Sequence, residues 1–367
     1  MKVTVSVTND LVTDQRVHKV CTTLKQNGYK VKLVGRELRN SKPIERPYTT
    51  ERMRLLFNKK IFFYAEFNIR LFFYLLFDKT DIFLSNDTDT LLANYLASVI
   101  RKKPLVFDAH EIFPEVPEIT DRTWVKKIWT MIEDFIFPHL QNTYTVCDSI
   151  AKYYKDKYNI NMQVVRNIPS QKIKTLRLAS QKSPINAKGK KVILYQGAVN
   201  HGRGIEWMIE AMPLLNNCVF YIIGDGDLMK KLKDKVKKMQ LSDKVIFTGR
   251  IPFEDLSLYT AKADIGINLL ENWGLSYYYS LPNRIFDYIR EGVPVLASDF
   301  PEIRKIIRHY DIGILINNFD PHYIASSIKR LILKGKNQLA FEKANKDLCW
   351  ENEALKLLKV MKSAIDT

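Results

Sequence analysis

The sequence predicts an α/β protein made of two parallel sheets, each covered by helices on both faces. Three observations carry this. Short strand-like segments alternate with helix-like segments nearly throughout the chain. The strand candidates are continuously apolar and β-branched, as in sheets buried on both faces. One polar, basic stretch, from about Asn167 to Lys191, breaks the alternation, which then restarts.

In the first half VTVSV opens as a strand. Asp14 can cap a helix whose apolar positions Val17, Val20, Cys21 and Leu24 share one face. Gly28 ends that helix and VKLVG follows as a strand. DIFLS, a helix over TLLANYLASVI, and PLVFD repeat the pattern, and TYTVC and MQVVR add further strands. Between them, Ile61 to Phe77 is an aromatic stretch interrupted by Glu66, Asn68 and Arg70, with Lys59 and Lys60 beside it. It reads either as core or as a surface resting on a membrane.

In the second half KVILYQG, CVFYIIG, KVIFTG, DIGINLL, VPVLAS and IGILI are six strand candidates separated by helices, and the chain ends in helix. The expected boundaries are a first domain at 1–170, a linker at 171–190, a second domain at 191–345 and a terminal helix at 346–367.

A length of 367 residues suits two domains, and 46% hydrophobic with 26% charged residues excludes disorder. Lysine and arginine total 57 against 40 acidic residues, a net charge of +17. Such an excess favours an anionic partner: nucleic acid, an acidic membrane face or a phosphorylated small molecule. The basic-aromatic modules of nucleic-acid binders are missing, so nucleic acid is not expected. The four cysteines are far apart and form no C-x-x-C pair, which predicts packed free thiols in a reducing compartment. The start, MKVTVSVTNDLV, turns polar too soon for a signal peptide. No apolar run reaches the ~18 residues of a spanning helix, so a cytoplasmic chain is expected.

Ligands of open α/β sheets sit at the carboxyl ends of strands, so the residues after each strand are the site candidates. After KVILYQ, the run GAVNHGRGIEWM places Gly197, Gly202 and Gly204 before a helix, with Arg203 at its mouth. This is either a diphosphate clamp or a glycine-rich turn with a solvent-facing arginine. Trp207 holds the third glycine position of G-x-G-x-x-G, so the dinucleotide fingerprint is incomplete. In YYYSLPNRIFDYIREGVPVLAS, Ser280 can cap a helix with Pro282 in its first turn. Asn283 and Arg284 then stand at the helix entrance as a phosphate cradle. Asp287, one turn on, is placed for a ribose diol or for pairing with Arg284 or Arg290. In the first half, Asp108, His110 and Glu111 follow a strand, and His110 is either a cleft residue or a hydrogen-bonded loop histidine. Asp87 and Asp89 form a D-x-D pair that equally suits a helix start, and no metal site is expected.

Together these motifs resemble the family 4 glycosyltransferases, retaining enzymes of the GT-B fold. The resemblance runs through YQGAVNHGRGIEWMIEAM, IIGDGDL, VIFTGRIPFEDL, ADIGINLL and SLPNRIFDYIREGVPVLASDFPEI, with NDTDTLLANYLAS and LVFDAHEIFPE in the first half. It implies two Rossmann-like domains facing a cleft, with C-terminal helices crossing back to the first domain. The second domain would hold the nucleotide and the first the acceptor.

Carried over by position, Arg203 takes a donor-diphosphate contact and Asp287 the place of a ribose-binding glutamate. Gly197 is the strand glycine, and Gly249, Arg250 and Ile251 match the loop that reads the nucleobase. His110 falls on the cleft histidine near the donor sugar. His110 and Arg203 are thereby the catalytic candidates. The chain departs from the pattern at Ala198, where an arginine is common, at Tyr279, where the first acidic residue stands, and at Val12 and Thr13, in place of Gly-Gly.

The implied function is transfer of a sugar, with retention, from a UDP- or GDP-sugar to a glycan or lipid-linked acceptor, in bacterial surface polysaccharide synthesis. No cofactor is required in this reading, and peripheral contact with the inner, anionic membrane face is a further expectation. The alternatives are a sugar-nucleotide epimerase of the same architecture, a nicotinamide-dependent oxidoreductase, and a non-catalytic carbohydrate- or membrane-binding protein.

Overall fold

The computed structural model describes residues 1–12, 14–120, 122–171 and 185–366. Most of the linker expected at 171–190 lies outside the described residues, as does Thr13. The chain divides into two compact units, Met1–Asn167 with Asn352–Thr367, and Ile168–Glu351.

The first unit is a seven-stranded parallel sheet of order β3-β2-β1-β4-β5-β6-β7. Its strands are β1 (Lys2–Asp10), β2 (Lys30–Glu37), β3 (Thr49–Arg54), β4 (Ile82–Asn86), β5 (Leu105–Ala109), β6 (Asn142–Thr145) and β7 (Gln163–Val164). Its helices are α1 (Gln15–Gln26), α2 (Lys60–Phe77), α3 (Thr88–Arg101), α4 (Pro117–Thr120), α5 (Thr123–Ile136) and α6 (Asp148–Tyr158). α1 begins as the sequence predicts: the Asp14 carboxylate accepts from the Val17 amide at 2.9 Å, and Val17, Val20, Cys21 and Leu24 are fully buried. The central strand β1 buries Val3, Val5 and Val7 on one face and Thr4, Ser6 and Thr8 on the other.

Two features of this unit differ from the sequence reading. β3 was not expected: TTERMR is a polar edge strand with only one ladder partner, so it lacks the apolar run of a central strand. α2 is both core and surface. Phe63, Phe67, Leu71 and Leu75 recur every four residues on the buried side, while Phe62, Ile69, Phe73 and Phe77 stay exposed.

The second unit is a six-stranded parallel sheet of order β10-β9-β8-β11-β12-β13. The strands are β8 (Lys191–Gln196), β9 (Cys218–Ile223), β10 (Val245–Gly249), β11 (Ile265–Asn268), β12 (Val295–Ser298) and β13 (Gly313–Ile316). The helices are α7 (Ile205–Ala211), α8 (Met229–Lys238), α9 (Leu256–Thr260), α10 (Leu275–Tyr278), α11 (Asn283–Arg290), α12 (Pro301–Tyr310), α13 (Pro321–Lys334), α14 (Gln338–Asp347) and α15 (Trp350–Asp366). The last of these rejoins the first unit from Asn352, where Glu353 accepts from the Arg166 amide at 2.9 Å.

Strand alternation builds one core on each face of this sheet. Ile193, Tyr195, Phe220 and Ile222 pack with Met208, Leu232 and Ile328. Leu194, Val219 and Tyr221 pack with Ile285, Tyr288 and Ile289. α11 starts differently from expectation. Pro282 precedes its first turn in an extended conformation, no side chain caps it, and the Ser280 hydroxyl donates to the Tyr277 carbonyl instead. The core explains this start: burial of Ile285, Phe286, Tyr288 and Ile289 holds the helix without a cap. All four cysteines are buried.

Tyr288 seats α11 on the sheet by donating to the Leu194 carbonyl at 3.0 Å. A Cβ on Gly266 would lie 2.5 Å from its ring. Gly266→Ala is expected to cost about 1–3 kcal/mol of stability through overpacking. Urea denaturation of the variant and parent checks this; an unchanged midpoint refutes it.

Candidate functional site

Both sheets have their order reversal at the central strand, β1 in one unit and β8 in the other. The loops leaving the carboxyl ends on either side of such a point splay apart and leave a crevice. In the second unit these are the loop after β8, residues 197–204, and the loop after β11, residues 269–282. They are tied together: the Glu271 amide donates to the Gly202 carbonyl at 3.0 Å, and the His201 and Trp273 rings stack at 5.7 Å. Gly204, with φ +67°, begins α7, which is only seven residues long.

Two arginines reach this crevice. Arg203 lies with its guanidinium 4.5 Å from the Tyr277 ring centroid. Arg284 comes from the start of α11 and is only 8% exposed. Its guanidinium stacks on Tyr195 at 4.4 Å and lies against Gly197, where an added Cβ would meet Nη2 at 3.1 Å. Its Nη1 is buried and has no hydrogen-bond partner among the described residues. Burying a charged donor in this way is costly unless something accepts from it. Asn283, one residue earlier, is exposed at the helix entrance.

Asp287 accepts from Gln196 Nε2 at 2.9 Å, and Thr260 donates to Gln196 Oε1 at 2.8 Å. Arg290 is more distant from Asp287, at 3.9 Å. The carboxylate is thus held at the end of β8, beside the glycine loop, rather than on a wet helix face. Gly197 and Arg284 therefore come together, Asp287 stands one turn along the same helix at the end of β8, and Arg203 lies on Tyr277 of the neighbouring crevice loop. Gly249, Arg250 and Ile251 lie at the end of β10, two strands from β8. Gly249 accepts from the Gly224 amide, and Arg250 extends into solvent 3.6 Å from Asp225.

Sequence reasoning missed Asn268, the last residue of β11. It is fully buried, and both of its amide atoms lack a hydrogen-bond partner among the described residues. Its signal was a lone polar residue in the apolar run DIGINLL. Alternation from Gly266, which faces Tyr288, puts Asn268 on the α11 side of the sheet.

In the first unit, His110 follows β5 with both ring nitrogens on carboxylates: Nδ1 is 3.0 Å from Asp87 and Nε2 3.0 Å from Asp108. Arg16 of α1 grips Asp108 with two bonds, Nε at 2.9 Å and Nη2 at 2.6 Å. Asp87 itself has φ +57°, held by its amide bond to the Asp108 carbonyl and by the His110 amide on its carboxylate, both 2.8 Å. Burial alone would lower the His110 pKa; Asp87 and Asp108 outweigh it and hold the ring well above 6.5. Burial opposes ionisation of Asp108, yet Arg16 and His110 bring it down to about 2. The D-x-D pair diverges: Asp89 turns inward to accept from Thr8 at 2.5 Å, and burial pushes it up to about 7. Among the described residues no group of three or more His, Cys, Asp or Glu side chains is placed to hold a metal ion.

Comparison with known proteins agrees with this architecture. Residues 14–170 match the family described as Glycosyltransferase Family 4, and residues 177–348 match Glycosyl transferases group 1. An uncharacterized glycosyltransferase of Methanocaldococcus jannaschii is 27% identical over 186 residues, 48% of this chain and 46% of that protein. The matched segments span less than half the length of the first curated relatives. Among solved structures, sucrose-phosphate synthase from Thermosynechococcus elongatus superposes with a TM-score of 0.80 at 16% identity, covering 100% of this chain and 99% of that one. Anabaena HepE in complex with UDP-glucose gives 0.74 at 14% identity, covering 99% and 100%. With matches to the family in both halves and a parallel α/β unit in each, the chain belongs to the family 4 glycosyltransferases of the GT-B fold.

Proposed function

We propose that this chain is a retaining glycosyltransferase that moves a hexosyl group from a UDP- or GDP-sugar to a glycan or lipid-linked acceptor in surface polysaccharide synthesis. The observation that carries the reading is the buried Arg284 guanidinium against Gly197, with Nη1 buried and lacking a hydrogen-bond partner among the described residues. A diphosphate laid over the glycine loop accepts from that nitrogen and relieves the cost of burying it. Arg284 thereby supplies the positive charge that Ala198 does not. Arg203 flanks the same crevice, and Asp287, already braced by Gln196, offers a carboxylate oxygen to a ribose hydroxyl. The UDP-glucose bound to Anabaena HepE supports a nucleotide-sugar donor.

In the reaction, the bond from the anomeric carbon to the diphosphate oxygen breaks and a bond to the acceptor oxygen forms on the same face. The acceptor proton passes to the departing phosphate oxygen. Arg203 and Arg284 stabilise the negative charge that develops on the diphosphate. In the first unit His110 is a fixed cation at the carboxyl edge of its sheet, because both of its ring nitrogens lie on carboxylates and neither is free to take a proton.

The first test is a thermal-shift panel of UDP, GDP, ADP, CMP and NADH with the common sugar conjugates. A selective shift by one nucleotide and its sugar is expected, with about 2.7 kcal/mol of stabilisation at a hundredfold excess over Kd. A shift with NADH alone overturns the reading. Conversion of the donor to an epimer without acceptor would identify an epimerase instead.

Arg284→Ala is expected to weaken binding of that nucleotide about 10- to 100-fold, the value of a charge-assisted hydrogen bond. Arg284→Lys, which keeps charge but loses the fork, should fall between. Calorimetric titration of both variants checks this; parental affinity in Arg284→Ala refutes it. Asp287→Ala should raise the nucleotide Kd by about tenfold, for one lost hydrogen bond to a charged acceptor.

A raised histidine pKa stabilises the folded state fully below the unfolded value, near 6.5. That contribution fades only as pH rises through the higher folded value. The His110 ring should therefore keep its charge as pH rises through 6.5, where a free imidazole loses its proton. NMR of ring-labelled protein, assigned with His110→Gln, checks this. A titration midpoint near 6.5 contradicts the fixed-cation role.

A further inference from the structure

We infer that the outer face of α2, α3 and α5 is a docking surface for an anionic lipid bilayer. The three helices form one layer. The Tyr64 ring of α2 meets Trp129 of α5 edge-on at 5.1 Å, and Tyr95 of α3 meets Phe135 of α5 at 6.0 Å. Each helix turns one apolar stripe to the sheet and keeps a second apolar stripe outside. On α2 the outer stripe includes Phe62, Phe73 and Phe77; on α3, Val99 and Ile100; on α5, Trp124, Met131 and Phe135. Every one of these side chains is more than half exposed. Single exposed apolar residues are ordinary, but eight on adjacent helices mark an interaction surface.

The charges choose the partner. Lys59 and Lys60 are exposed at the start of α2, Lys102 at the end of α3, and Arg122 and Lys127 at the start of α5. Lys127 Nζ lies 5.9 Å over the Trp124 ring, an aromatic and a cation presented together. The acidic groups of these helices are engaged: Asp89 and Glu133 are buried, Glu66 pairs with Arg70 at 2.8 Å, and Asp134 accepts from Tyr158 at 2.6 Å. Aromatic and aliphatic side chains ringed by lysines are what a headgroup region of negative lipids accepts. A second copy docking by the same face would bring these basic ends toward one another, which like-charge repulsion disfavours. The helices lie on the bilayer rather than cross it. α2 carries Glu66, Asn68 and Arg70 mid-length, and no described helix is long and apolar enough to span.

The inference goes beyond the transfer reaction and is read without nucleotide or sugar, so either can fail alone. The full chain is sedimented with phosphatidylcholine vesicles, with and without phosphatidylglycerol, and its mass in solution is measured over a range of concentrations. Binding to the anionic vesicles is expected to exceed binding to neutral ones by about tenfold and to weaken with salt. The F73S/W124S/M131S variant should lose about tenfold in partition at an unchanged melting temperature. Should that variant fail to fold, K59Q/K60Q/K127Q, altered only at exposed lysines, should lose most of the salt-sensitive binding. Absence of binding to anionic vesicles overturns the inference. So does full binding by both variants, or a dimer that the serine substitutions dissociate.

Discussion

Each unit depends on the strand at which the order of its parallel sheet reverses, β1 in one and β8 in the other. Helices cover both faces of such a sheet, so the carboxyl edge is where polar side chains can meet a ligand. The charged groups of each unit gather there accordingly. Arg16, Asp87, Asp108 and His110 do so in the first, and Arg203, Arg284 and Asp287 in the second.

The two edges solve the cost of buried charge differently. In the first unit the ions satisfy one another: Arg16 forks onto Asp108, and His110 sits between two carboxylates. Such a closed network resists change, because removing one member leaves another charge buried and unmatched. In the second unit Arg284 leans on an aromatic face and keeps a donor in reserve. A cation–π contact compensates only part of the lost hydration, and the remainder is available to a bound anion. One edge is preset and the other is receptive.

The regular elements were legible because their signal is local. The α1 stripe and the strands of both sheets follow from spacing within a few residues. β3 was not legible, since an edge strand exposed on one side needs no apolar run. At the site, the glycine loop after β8 and the positions of Arg284 and Asp287 were legible from their place after strands. What they touch was not. Arg284 at a helix entrance reads as a wet residue, and only the β8 neighbour Tyr195 makes it a buried one. The fate of the D-x-D pair was equally hidden. Asp87 reaches His110 only because β4 and β5 pair in a register that sets its amide on Asp108. Asn268 carried a signal, but a lone polar residue in a strand is too common to single out before its amide is seen to be unmatched.

The contact between Gly266 and Tyr288 has a bearing on recombination. The glycine comes from β11 and the ring from α11, 22 positions later, with the crevice loop and α10 between them. A chimera joined within that loop would take its strand from one parent and its helix from another. If the incoming strand carried any side chain at the glycine position, the ring could not seat and α11 would ride up from the sheet. Arg284 stands on the same helix one turn away, so the misfit would move the guanidinium off Tyr195 as well. Exchanges of this crevice loop between relatives should therefore take strand, loop and helix together as one cassette.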